Sequence, residues 1–82
     1  MAAASPAIVA FTRHAEQRAL ERRLDLSDIG ELLLSRHDQR RRNHGQADWL
    51  LRARGVTIAY NWPDGDDETT ALVISAWRAR VA

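Results

Sequence analysis

The 82-residue chain contains no cysteine, no lysine and no long hydrophobic run. Without cysteine it has neither a disulfide framework nor a thiolate zinc site, so we expect its stability to come from a hydrophobic core or from a partner. The N-terminal MAAASPAIVA is apolar, but it lacks a positively charged start and is too short to cross a bilayer. The sequence therefore predicts a single cytoplasmic domain over residues 8–82, preceded by a frayed tail at 1–7.

The basic residues are all arginines, and their 12 positive charges nearly balance 11 acidic residues. Such a balance excludes a strongly basic protein, yet the charges are segregated along the chain. Arg40, Arg41 and Arg42 form one run, and four of the five residues 64–68 are acidic. Arginine suits bidentate contacts with phosphate or carboxylate. A GC-rich genome would produce the same bias, so both explanations remain open.

The segment FTRHAEQRALER, Phe11–Arg22, predicts a first helix over residues 13–23 with Thr12 as its N-cap. A threonine oxygen at that position can accept from a free backbone N–H of the first turn. Its apolar surface is thin, which predicts that packing on the rest of the domain holds it in place.

On this helix His14, Arg18 and Arg22 fall on one stripe at i, i+4 and i+8. Three positive or potentially positive groups on one stripe repel one another unless an anion faces them. Glu21 is one candidate for that anion, which would make the stripe an ordinary solvated surface. A bound phosphate is the other candidate.

A second helix is predicted over residues 26–36. Asp25 can cap it, and Asp28 stands three residues further on, where acidic side chains favour a helix N-terminus. Beyond residue 39 the pattern changes to alternation, which predicts an edge strand at 39–43 and further strands at 48–53, 56–62 and 69–77. We therefore expect an α+β fold with two N-terminal helices on one face of a four-stranded antiparallel sheet. Ile8–Phe11 is expected as an extended lead-in, and the predicted core comprises Ile29, Leu32, Leu33, Ile58, Leu72 and Ile74.

If the first helix lies across the sheet, His14 and Arg18 would face Ser75, Trp77 and Arg78 of the last strand. A histidine can move the protons of a 2′-hydroxyl and a leaving 5′-oxygen, and an arginine can stabilise charge on the phosphorane. This set would suffice to cleave RNA without a metal. A basic stripe of two turns is also common on surfaces that have no such activity.

The remaining candidates carry weaker signals. His37 and His44 lack the i, i+4 spacing of a helical zinc pair, so we expect neither metal nor cofactor. Arg40, Arg41 and Arg42 are expected on an exposed strand, with phosphate contact as the alternative. The tryptophans are expected in the core rather than as platforms for stacked bases.

Three features together resemble a small bacterial and phage domain family of unknown function. They are the order F-T-x-H-A-x-x-R-x-x-x-R, the acid-capped helix with Asp28-Ile29, and the late strand VISAW at 73–77. The family is grouped with the RelE/ParE-like toxins and with colicin- and barnase-type ribonucleases. In this sequence Arg23 replaces the glycine that commonly follows the second arginine, and Asp25 replaces a serine cap.

The resemblance implies a RelE/ParE-like fold and assigns roles to particular residues. His14 and Arg18 would be catalytic, Arg22 would support them, and Ser75 would occupy a late-strand position usually held by threonine. Two functions follow: a metal-independent ribonuclease toxin, or a non-catalytic module that binds through its basic face. RNA and a cognate antitoxin or immunity protein are the expected partners. The expected nucleic-acid contacts are Arg22, Arg40, Arg41, Arg42 and Arg78.

Overall fold

A computed structural model describes residues 5–78 and contains two helices and a five-stranded sheet. Strand β1 and helices α1 and α2 come first, and the remaining four strands follow a short 3₁₀ turn at His37–Gln39. The elements are β1 Ile8–Phe11, α1 Arg13–Glu21, α2 Leu26–Arg36, β2 Arg41–Arg42, β3 Trp49–Ala53, β4 Val56–Asn61 and β5 Thr70–Arg78.

Both predicted helix starts are confirmed by their caps. The hydroxyl of Thr12 accepts from the Ala15 amide at 3.0 Å, and the Asp25 carboxylate accepts from the Ser27 amide at 2.7 Å. The end of α1 differs from the prediction, because the helix stops at Glu21 rather than at residue 23. There the chain turns through a left-handed residue, Arg23, at φ 57°.

The predicted four-stranded antiparallel sheet is wrong: the sheet is mixed, with the strand order β1-β5-β4-β3-β2. Residues Ile8–Phe11 do not merely lead into α1 but pair in parallel with the first half of β5. The amides of Ala7 and Ile8 also donate to the Thr69 carbonyl, at 2.7 and 2.9 Å. Of the predicted tail 1–7, residues 1–4 lie outside the described residues.

The helices cover one face of this sheet, and the core lies between them. β4 alternates as expected, with Ile58 and Tyr60 facing the helices and Thr57 and Ala59 facing away. The alanines of α1 allow the helix to approach the sheet closely. The buried cluster comprises Ala15, Ala19, Ile29, Leu33, Leu51, Ile58, Tyr60, Ala71, Val73 and Ala76.

The predicted core is right for Ile29, Leu33 and Ile58, which are buried, but Leu32, Leu72 and Ile74 are only half-buried. Leu72 lies opposite Asn61 on the face that the helices do not cover. Ile74 sits at an irregularity of the β4–β5 ladder, where neighbouring pairs skip it. The irregularity shifts the alternation of side chains along β5 by one residue, so that Val73 and Ala76 lie in the core.

Neither described helix is long and apolar enough to cross a membrane.

Candidate functional site

The α1 stripe is present, but two of its three members, Arg18 and Arg22, are bonded within the protein. Arg18 Nη1 donates to Glu21 Oε1 at 2.7 Å, and both side chains are nearly half exposed. Arg22 Nη1 donates to the carbonyl of Ala76 on β5 at 2.8 Å. This second bond ties the end of α1 to the edge of β5 that β1 leaves free. The structure therefore pairs Glu21 with Arg18, as the spacing of the stripe allowed.

His14 and Ser75 are not joined to each other or to Arg18 by a hydrogen bond within residues 5–78. His14 is exposed near the start of α1. Ser75 pairs with Ala59, so its side chain lies on the sheet face opposite to Ile58 and Tyr60. The helices lie on the other face, and the expected meeting of Ser75 with the α1 stripe therefore has no support from the register.

A cluster of arginine and tryptophan side chains covers the β2–β3 end of the helix-facing side. The Arg40 guanidinium lies 4.3 Å from the centre of the Trp49 ring and 5.1 Å from that of Trp62. Arg42 lies 4.8 Å from the Trp49 ring. Arginine over an aromatic face is attracted by the ring quadrupole. Arg40 also donates to the His37 carbonyl at 3.1 Å, so it fastens the end of α2 to the sheet.

His37 and Tyr60 form a buried pair beneath this cluster. Their Nδ1 and hydroxyl atoms are 3.0 Å apart and share a hydrogen bond, and the His37 ring packs edge-on against Trp62 at 4.5 Å. Burial, and secondarily the Arg40 charge, lowers the pKa of His37 below its usual 6.5. Burial raises the pKa of Tyr60 to about 12. Both groups are therefore neutral near pH 7, which suits a structural pair.

Sequence reasoning missed this cluster because its members come from three separate segments: the 40–42 run, Trp49 and Trp62. A cation–aromatic pairing of Arg42 with Trp49 could have been found from the register of a β2–β3 hairpin, since the two residues lie opposite each other. The placement of Arg40 beside both tryptophans depends on the 3₁₀ turn at His37–Gln39, for which the local sequence carries no signature.

The other predicted nucleic-acid contacts are spread over the surface. Arg41 and Arg42 are exposed on opposite faces of the short edge strand β2, because Arg41 pairs with Leu50 and Arg42 with Trp49. Arg78, at the end of β5, donates to the Arg23 carbonyl at 3.0 Å. Among residues 5–78 no group of three or more histidine and acidic side chains could hold a metal ion.

The fold of the described residues is RelE-like. A chain of the toxin–antitoxin complex RelBE2 from Mycobacterium tuberculosis matches with a TM-score of 0.65, over 89% of this chain and 98% of that one. The sequence identity is 17%, so the likeness shows a shared fold and nothing finer. No model of a known protein family matches the chain, and no curated protein does.

Proposed function

We propose that this chain is the toxin of a toxin–antitoxin pair and that it cleaves RNA without a metal ion. The observation that carries the proposal is the RelE-like fold, which extends over nearly the whole chain and is shared with a component of a toxin–antitoxin complex. The exposed His14 at the start of α1 supports the choice of chemistry. A cognate antitoxin is the expected protein partner.

In the proposed reaction His14 takes the proton of an RNA 2′-hydroxyl, and the freed oxygen attacks the adjacent phosphorus. The bond from phosphorus to the 5′-oxygen breaks, and that oxygen takes a proton from solvent, while His14 releases to solvent the proton that it accepted. The products are a 2′,3′-cyclic phosphate and a 5′-hydroxyl. Arg18 neutralises charge that develops on the phosphorane oxygens.

The Arg18–Glu21 ion pair does not prevent this role for Arg18. Ion pairs between exposed side chains contribute about 0–1 kcal/mol, so a phosphate can replace Glu21 at small cost. Arg41 and Arg42 lie on an exposed edge strand and supply further phosphate contacts. Arg22 and Arg78 each use part of their guanidinium on a carbonyl and keep other N–H groups for RNA.

A second candidate function is a non-catalytic module that binds RNA or protein through the same basic surface. It is favoured by one observation: within residues 5–78 no second proton-transferring group is hydrogen-bonded to His14. The Arg18–Glu21 pair favours neither function, because it fits a stripe that is ordinary solvated surface.

The test is RNA incubated with the purified chain and scored for 2′,3′-cyclic phosphate ends. His14→Ala should abolish cleavage without unfolding the protein, because an exposed side chain leaves no cavity. Arg18→Ala should slow cleavage about 100-fold or more, as removal of one transition-state donor does. Cleavage should persist in EDTA. Arg13→Ala, on the same helix, serves as the control for lost charge.

Ser75→Ala should have the smallest effect, since Ser75 lies on the opposite sheet face. Wild-type protein that leaves RNA intact but binds a partner through Arg18 and the 40–42 segment would establish the second function. Full activity in both His14→Ala and Arg18→Ala would show that the α1 stripe is only a solvated surface.

A further inference from the structure

A cleft of about 560 Å³ lies at the end of the sheet remote from the Arg40–Trp49 cluster. Its floor is apolar and includes the half-buried Leu24, Leu32 and Val56. Four arginines from separate elements line it: Arg23 after α1, Arg36 at the end of α2, Arg54 in the β3–β4 turn and Arg78 at the end of β5. The cleft therefore combines an apolar base with converging positive charge.

Two of these arginines occupy backbone positions that disfavour them. Arg23 follows α1 in a left-handed conformation at φ 57°, with the Leu24 amide bonded to the Ala19 carbonyl at 2.8 Å. This is a Schellman ending, whose left-handed residue is usually glycine. Arg54 and Gly55 form a two-residue hairpin turn with φ values of 52° and 76°. Asparagine is the favoured first residue of such a turn.

The guanidinium groups of Arg23 and Arg54 make no ion pair or hydrogen bond within residues 5–78, where Arg18–Glu21 is the one ion pair. These two guanidinium groups thus add no polar contact to the fold, although both residues have a left-handed backbone conformation that is unfavourable for arginine. An outlier of this kind points to a role outside folding. Both residues line the same cleft, so their guanidinium groups can act together there.

The charges of the cleft distinguish a peptide from RNA as its occupant. Asp28 and Glu31 line it from α2, together with Asp25. An RNA backbone would bring one negative charge per nucleotide past these carboxylates, and it offers no apolar side chain to the floor. A protein segment can instead place a carboxylate on the arginines and an apolar side chain on the floor of Leu24 and Leu32.

We propose that this cleft binds a short acidic, amphipathic segment of the protein partner. The inference rests on the proposed function in taking that partner to be an antitoxin, and it names the surface by which the antitoxin docks. A carboxylate of the docking segment pairs with Arg23, Arg54 and Arg78, while a leucine-like side chain of the same segment covers the apolar floor. Docking requires no RNA cleavage.

The probe is a short capped peptide of leucine and glutamate, titrated into the isotope-labelled full chain. We expect it to shift the guanidinium NMR signals of Arg23 and Arg54 and the amides of Leu24 and Val56. A matched peptide with glutamine in place of glutamate should bind at least about tenfold more weakly, because it lacks the charge-assisted bonds.

The variants Arg23→Gly and Arg54→Asn separate binding from folding. Each should raise the melting temperature, because it relieves the left-handed backbone, and each should weaken binding of the glutamate peptide about tenfold. Arg52→Gln is the matched control, since Arg52 is an exposed arginine on β3 outside the cleft. It should leave peptide affinity unchanged.

The proposal is overturned if the glutamate peptide causes no shift or binds no better than the glutamine peptide. It is overturned as well if Arg23→Gly and Arg54→Asn retain full affinity or lower the melting temperature. A uridine oligonucleotide that shifts the cleft signals where the glutamate peptide does not would make the site a nucleic-acid site instead. Loss of RNA cleavage alone would not affect these results, since they measure peptide binding.

Discussion

Arginine side chains at the two ends of the sheet are used in opposite ways. At one end Arg40 lies over two tryptophans, donates to the His37 carbonyl and has a buried Nε. At the other end Arg23 and Arg54 hold a left-handed backbone and leave their guanidinium groups without partners in residues 5–78. The same residue type stabilises the fold at one end and remains available to a ligand at the other.

The comparison shows that a cluster of arginines does not by itself mark a binding surface. Arg40 belongs to the run that the sequence singled out for phosphate contact, yet most of its guanidinium contacts are internal. Arg23 drew attention in the sequence only because it replaces a glycine. What separates the two groups is the backbone conformation and the partners of each guanidinium, and neither is visible in composition.

The largest expected loss of stability comes from truncating a core residue, and it gives a reference for the arginine variants. Leu33, on the sheet-facing side of α2, is completely buried, so Leu33→Ala should lower the free energy of unfolding by about 2–5 kcal/mol. Ile74→Ala should lower it by less, because Ile74 is half-buried at the ladder irregularity. Denaturant unfolding of both variants measures the difference. Equal losses would mean that the helix-facing core has been placed wrongly.

Next in size, Arg40→Ala should lower the free energy of unfolding by about 2–3 kcal/mol. It removes the stacking on Trp49 and Trp62 and a hydrogen bond to the His37 carbonyl. Arg41→Ala is the control from the same run and should change stability by about 0.5 kcal/mol or less, because its side chain is exposed. Similar losses in both variants would contradict a structural role confined to Arg40.

A smaller effect should appear in acid. The pKa of His37 is lowered in the folded protein, so below about pH 6.5 the unfolded chain binds more protons than the folded one. Stability should therefore fall as the pH drops from about 6.5 toward the lowered pKa. His37→Gln should flatten this dependence, whereas His44→Gln, in an exposed loop, should not. Parallel pH profiles for wild type and His37→Gln would refute the assignment.

The sequence predicted the local parts of this fold and missed the parts that depend on distant pairing. Thr12 and Asp25 are caps, and the alternation of β4 was confirmed, because each depends on neighbours a few residues away. The strand at Ile8–Phe11 pairs with residues 70–73, some sixty positions later, and four apolar residues carry no signal for that partner. The prediction therefore had one strand too few and no parallel pairing.

The candidate site also has a part that local spacing predicted and a part that depends on distant pairing. Helical spacing placed His14, Arg18 and Arg22 on one stripe, and it also identified Glu21 as a possible partner. The face of Ser75 depends on the ladder irregularity beside Ile74, which shifts the alternation of β5. The cleft could not be predicted at all, since it requires the end of α1, a hairpin turn and the end of β5 to meet.

The central claim is that the arginines divide into one group that stabilises the fold and another that does not. Calorimetric unfolding of Arg40→Ala beside Arg54→Asn tests it most directly. The account predicts opposite signs: a lower melting temperature for Arg40→Ala and, for Arg54→Asn, a rise of about 4–8 °C per kcal/mol of relieved strain. A fall in melting temperature in both variants would contradict the division, because Arg54 would then stabilise the fold as Arg40 does.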